Sequence, residues 1–176
     1  FYLKEDLENL KTPDSLPGEF PFVRGNKKGD NAWYVRQRIM ADDAAAANEK
    51  ALDILNRGVD SLSFKIPGKN ISKDFVETLL KGIECEAVEL NFNTCKRHTL
   101  ELAKILDWYF TAKGYDKTKI VGSFNWDPME KIVVKGLDTV ALLAQAPQIV
   151  EAMKEYPNFR TICVNAVALN NNGAYI

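Results

Sequence analysis

Two arginines two positions apart, Arg36 and Arg38 in the run WYVRQRI at positions 33–39, are the side chains of this sequence best placed to bind something. The run alternates aromatic or branched residues with polar ones, as a strand with one polar face does, so both guanidiniums point the same way. A guanidinium stays charged at any working pH and offers five N–H donors in a fork that fits a carboxylate or a phosphate. If that face lines an interior, the two charges need partners, because an unpaired buried charge is costly. Two readings stay open: pairing with acidic groups of the same chain, or contact with an anion such as an ester phosphate or a carboxylate.

The other candidates come from the C-terminal ends of strand-like stretches, where β/α folds collect functional groups. They are Gln37, then Lys65 and Lys69, Asn91 and Asn93, Asn125 and Asp127, and finally Asn165, Asn170, Asn171 and Asn172. Most are amides and cations. Asparagine cannot relay a proton at neutral pH, and neither Arg nor an exposed Lys is a ready general base. Asp127 in DPME reads as a helix N-cap. The single histidine, His98, falls at the start of a helical stretch and reads as a surface or cap residue. With one His and no C-x-x-C there is no zinc set. Asp53, Glu77, Glu101, Asp107 and Glu151 lie on helix faces, where solvation is their ordinary role. No serine sits in a G-x-S-x-G turn.

The elements that position these residues follow in regular order. Strands are predicted at 33–39, 61–66, 87–92, 120–126 and 159–166. Between them lie helical stretches. Asp42 or Asp43 caps AAAANEKALDILNR, and Gly58 closes it. Ser72 opens KDFVETLLKGI, where Phe75, Val76, Leu79, Leu80 and Ile83 make one stripe. A third helix runs from about Thr94 to Gly114, a fourth opens at Asp127-Pro128, and a fifth stretch from Asp138 is kinked or divided by Pro147. Strands alternating with helices at intervals of roughly 25–40 residues predict parallel β/α units in an α/β fold. No G-x-G-x-x-G or G-x-x-x-x-G-K-[ST] follows a strand, which removes support for a nucleotide-binding open sheet. Residues 1–32, with their prolines and glycines, read as an extended arm with a short helical turn near Asp6–Leu10.

The 176 residues fit one domain, with 46% hydrophobic and 27% charged residues and a net charge of −1. A balance so near zero gives no reason to expect nucleic acid or an anionic membrane as partner. The longest apolar windows, such as 139–146, fall far short of the roughly 20 residues that span a bilayer. Three scattered cysteines, Cys85, Cys95 and Cys163, suit a reduced cytoplasmic compartment and a packing role.

One stretch also carries a family resemblance. PGEFPFVRG at 17–25, the insert NKKGDNA, and W-x-x-RQ from Trp33 resemble the entry to the substrate barrel of methylmalonyl-CoA mutases, and in that family the small, non-catalytic subunit of the heterodimeric enzyme. The resemblance implies a partial (β/α)8 barrel with five parallel strands in sequential order, the chain being a fragment whose closing strands are missing. It implies that Arg36 matches an arginine that contacts the coenzyme A ester, and that Arg38 stands where catalytic subunits carry a tyrosine. Counting back from Gly173-Ala174, Val167 and Ala168 stand where those subunits carry a Tyr-His pair. Val134 and Lys135 fall nearest the basic residue that holds the substrate carboxylate. The cobalamin ligand motif D-x-H-x-x-G is absent from these residues and belongs to a separate domain of the family.

These features imply a catalytically silent subunit, with adenosylcobalamin and the interconversion of methylmalonyl-CoA and succinyl-CoA belonging to a large partner subunit. The alternative is an autonomous barrel that binds an acyl-CoA or a phosphorylated metabolite through Arg36 and Arg38. An open barrel would also expose strand edges and part of an apolar interior, so self-association, with the aromatic arm taking part, is expected.

Overall fold

The computed structural model describes residues 15–29, 32–129 and 139–171, with residues 5, 132 and 173 besides. Five strands form one sheet: β1 (Arg36–Met40), β2 (Ser61–Lys65), β3 (Glu89–Asn93), β4 (Gly122–Phe124) and β5 (Phe159–Arg160). Every neighbouring pair is parallel, and the order is β1-β2-β3-β4-β5. That is the order predicted from the alternating units. An open doubly wound sheet would instead place its first strand in the interior.

The helices among the described residues are α1 (Ala44–Leu55), α2 (Lys73–Leu79), α3 (Thr99–Lys113), α4 (Thr139–Leu143), α5 (Ala146–Ala152) and α6 (Ala166–Asn171). Their ends follow from local chemistry. Asp43 Oδ1 accepts from the Ala46 N–H at 2.8 Å, and Ser72 Oγ accepts from the Phe75 N–H at 3.2 Å, so both helices start on a side-chain cap. Gly114 ends α3 in the left-handed region at φ 73°, which a residue with a Cβ adopts reluctantly. Pro147 separates α4 from α5 and occupies the first turn of α5, where its missing N–H costs no helical bond.

Side chains alternate across the strands, and the alternation divides the molecule. Ile39, Leu62, Phe64, Leu90, Phe92, Phe124 and Phe159 join Ala47, Val76, Leu79, Leu102, Leu106, Phe110 and Ile149 from the helices in one buried core. Phe64, Phe92 and Phe124 follow one another across β2, β3 and β4 with ring centroids 6.0 and 6.3 Å apart. Gly122 is required here: a Cβ at that position would lie 2.0 Å from the Leu90 carbonyl oxygen and 2.7 Å from the Phe159 ring. All the helices in this core lie on one face of a sequentially ordered parallel sheet, which is how a β/α barrel is wound.

Several boundaries differ from the sequence expectation, with β3 at 89–93 rather than 87–92 and β4 at 122–124 rather than 120–126, and three of the differences have a clear local cause. Trp33–Val35 is not strand: the Asp60 carboxylate takes the Val35 N–H at 2.6 Å, while the Asp60 and Ser61 N–H groups share the Val35 carbonyl. The third helix begins at Thr99, not Thr94, because the Trp126 indole N–H donates to the Lys96 carbonyl, which serves a tight turn at Lys96–His98. The fifth strand ends at Arg160. Beyond it the Cys163 N–H reaches the Trp126 carbonyl at 3.0 Å, the Asn165 N–H reaches Asp127, and α6 follows.

The chain divides into two compact units, one up to Trp33 and one from Tyr34. In the first, the Gly18 N–H donates to the Gly25 carbonyl at 2.8 Å and closes a loop. Phe20 and Phe22 meet edge to face at 5.9 Å. The helical turn read near Asp6–Leu10 lies outside the described residues.

Candidate functional site

The sheet face turned away from the helices is polar, and register sets its rows. Arg36 lies beside Ser61, and Ser61 beside Glu89. Two residues further along, Arg38, Ser63, Asn91, Ser123 and Arg160 form the next row across all five strands. Met40, Lys65 and Asn93 make the third. The expectation of an apolar interior is therefore corrected: the apolar alternates of every strand face the helices, and this face carries arginine, serine, glutamate and asparagine. The apolar argument for self-association falls with it.

Glu89 is the centre of the first row. Its side chain is 1% exposed and accepts from Arg36 Nη2 at 2.8 Å and from Arg160 Nη2 at 2.6 Å, one guanidinium on each oxygen. Ser61 Oγ donates to it at 2.5 Å and Asn91 Nδ2 at 3.1 Å. Arg36 Nε also donates to Ser61 Oγ at 3.0 Å. Burial works to raise the Glu89 carboxyl, but the hydrogen bonds from Ser61, Arg36 and Asn91 outweigh it and hold the group below its ordinary range. A buried carboxylate is tolerated when it is paired and its lone pairs are filled, and both conditions hold.

The two predicted arginines thus part company. Arg36 takes the intramolecular reading and belongs to an ion clamp that ties β1, β3 and β5 together. Arg38 has no acceptor for its guanidinium among the described residues. It borders a cavity of about 440 Å³ whose wall also includes Arg36, Ser63, Asn91, Ser123 and Arg160. Beyond it, at the strand ends, Arg38 borders a second cavity of about 810 Å³ with Lys65, Asn93, Thr94 and Asn125.

Other predicted residues fall where chemistry is not gathered. Gln37 donates to the Arg38 carbonyl at 3.2 Å. Lys69, Asn170 and Asn171 are exposed, and Asn172 lies outside the described residues. Asp127 is a buried structural group: Oδ1 accepts from the Met129 N–H at 2.9 Å and Oδ2 from the Asn165 N–H at 2.8 Å. His98 sets its ring against Gly68, where a Cβ would meet it at 2.5 Å, and its Nδ1 lies 3.1 Å from Glu101. Val134 and Lys135 lie outside the described residues, and Val167 is exposed on α6. Cys85 is buried and its thiol is pushed up to about 12 by that burial, as a packing residue should be.

Sequence reasoning missed Glu89, Arg160, Ser61 and Ser63. A signal was available, since Glu89, Asn91 and Asn93 alternate with Leu90 and Phe92 and so share a face with the arginines.

A parallel sheet in sequence order, apolar toward its helices and polar on the other face, defines a β/α barrel type of protein with its binding groups inside and at the strand ends. The chain belongs to the methylmalonyl-CoA mutase family. The family's sequence profile, described as methylmalonyl-CoA mutase, matches residues 1–70. Over 177 aligned residues covering 100% of the chain, it is 44% identical to the methylmalonyl-CoA mutase small subunit of Porphyromonas gingivalis. It is 28% identical over 92% of its length to the corresponding small subunit of Streptomyces virginiae. The chain spans 28% and 27% of the length of these two relatives.

Proposed function

We propose that this chain is part of the barrel of a small, catalytically silent mutase subunit. It supports a large subunit that interconverts methylmalonyl-CoA and succinyl-CoA with adenosylcobalamin. The observation that carries this reading is the identity of 44% with a small subunit along the whole chain. The chemistry of the polar face agrees with it. The only carboxylate in its first row is fully paired and held ionised, and the residue at the family's tyrosine position is Arg38. Arginine neither donates nor takes a proton at neutral pH.

The described residues do not fit the cofactor. A corrin holds its own cobalt and asks the protein for at most one imidazole, and the single histidine of the sequence, His98, is engaged with Glu101 and packed on Gly68. Cobalamin chemistry belongs to the proposed partner. A cytoplasmic location is part of the proposal. It rests on cysteines that are free in the fold and on the membership of a metabolic enzyme family. No helix among the described residues is long and apolar enough to cross a membrane.

The test is turnover. The purified full-length subunit with adenosylcobalamin and methylmalonyl-CoA should form no succinyl-CoA, and addition of the large subunit should restore it together with co-migration on a sizing column. Turnover by the small subunit alone would overturn the reading.

A further inference from the structure

The clamp on Glu89 leaves one set of ligating groups on the polar face unused. The cavity of about 440 Å³ is walled by three guanidiniums, from Arg36, Arg38 and Arg160, and no carboxylate among the described residues lines it. Glu89 lies one row away and neutralises a single charge of the three, so two positive charges remain in excess among the described residues. Arg36 and Arg160 spend only part of their five donors on Glu89 and Ser61, and their side chains stay 48% and 66% exposed. The Arg38 guanidinium and the Ser63 hydroxyl make no hydrogen bond among the described residues. Asn91 turns its amide nitrogen to Glu89 and Ser61, and its oxygen accepts from Ser123 Oγ at 2.5 Å, so the wall between the arginines is fixed rather than loose.

We propose that this cavity binds a compact phosphate-class dianion through Arg38, with Ser63 and the spare donors of Arg36 and Arg160 completing the shell. This goes beyond the supporting role proposed above and does not depend on it. The charge excess matches a dianion. The donors come from β1, β2 and β5, so they approach from different sides, as a tetrahedral anion requires; the planar carboxylate position between Arg36 and Arg160 is already filled by Glu89. The volume lies at the small end of the range for metabolite sites.

The neighbouring cavity of about 810 Å³ shares Arg38 and gives room for an organic remainder at the strand ends. Thr94, which is 9% exposed, presents there a buried hydroxyl that has no partner among the described residues. A buried hydroxyl without a partner is unfavourable, and a polar group of a bound ligand would satisfy it. The bound species is thus a phosphate monoester with its phosphate on Arg38, free phosphate being the minimal form of the same chemistry.

The experiment is a calorimetric titration of the full-length subunit at low ionic strength, where charge contacts are least screened. The probes are inorganic phosphate, glycerol 3-phosphate and succinate. Both phosphates should bind saturably, glycerol 3-phosphate more tightly, and succinate at least about tenfold more weakly. Arg38→Gln should lower phosphate affinity by about tenfold or more, and Ser63→Ala by a few-fold, each with an unchanged melting temperature in the absence of ligand. Binding of inorganic phosphate alone would keep the site and assign it to the free anion. No saturable binding of either phosphate up to about 20 mM, affinity unaffected by Arg38→Gln, or succinate binding as tightly as phosphate would each overturn the proposal. None of these outcomes bears on turnover by the reconstituted mutase, so the two proposals fail separately.

Discussion

Arg36 and Arg38 sit two residues apart on one strand and face, yet they do opposite things. Arg36 is committed to Ser61 and Glu89, and Arg160 reaches the same carboxylate from the far strand. Arg38, one row along, has no acidic neighbour in its register: its row continues through Ser63, Asn91 and Ser123. Both lie on the face opposite the one that packs Ile39, Leu62, Phe64, Leu90 and Phe92 against the helices. The difference teaches that a repeated residue type does not give a repeated role; the residue opposite it two strands away decides. Where that residue is a buried glutamate, the arginine becomes structure. Where it is an asparagine, the arginine has no carboxylate to pair with in its row and is the one we propose for a ligand.

Substitutions sharpen the contrast in order of size. The apolar face should respond most. Phe92→Ala removes the middle ring of the Phe64–Phe92–Phe124 row and should cost about 3–5 kcal/mol, read as a fall in the denaturation midpoint. A loss below about 1 kcal/mol would mean that this row does not carry the core.

Glu89→Ala comes next. It removes the acceptor shared by two guanidiniums, a hydroxyl and an amide, of which Asn91 keeps the Leu62 carbonyl and Arg36 keeps Ser61. Losing one partner of a buried pair costs about 3–5 kcal/mol, and here about 2–3 is expected because both arginines are half open to water and can be solvated.

Acid should then separate the rows without mutation. The folded Glu89 carboxyl is held below its ordinary value of 4.5, so the clamp contributes fully above that pH and loses its contribution as the pH falls through the folded value. Glu89→Gln should flatten this part of the stability profile. An unchanged acid limb would place the linkage elsewhere. The smallest effect belongs to Arg38→Ala, which breaks no hydrogen bond among the described residues and should leave stability within about 0.5 kcal/mol of the parent.

Much of this was legible in the sequence. The strand order, the caps at Asp43 and Ser72, the Gly114 stop and the division at Pro147 all follow from local rules that tertiary contacts reinforced. The family followed from PGEFPFVRG and W-x-x-RQ. The strand limits were less legible, because they depend on distant partners: Asp60 takes over the bonds of Val35, and Asp127 those of Asn165. The clamp was illegible in the same way. Glu89 and Arg160 are 71 positions apart, and only the register across β3, β4 and β5 brings them to the same place. The notion of an apolar interior failed because the alternation was applied to single strands and not to all five together. Read across the strands, Arg36, Ser61, Glu89, Asn91 and Ser123 share one face.

The most direct test of the division between the two arginines is hydrogen exchange at their Nε–H groups, measured by NMR on the full-length subunit with arginine-labelled nitrogen. The Arg36 Nε–H donates to Ser61 Oγ at 3.0 Å inside the clamp and should exchange slowly. The Arg38 Nε–H should exchange at the rate of a solvated guanidinium and slow only when phosphate is added. Equal protection of the two groups without ligand would contradict the account.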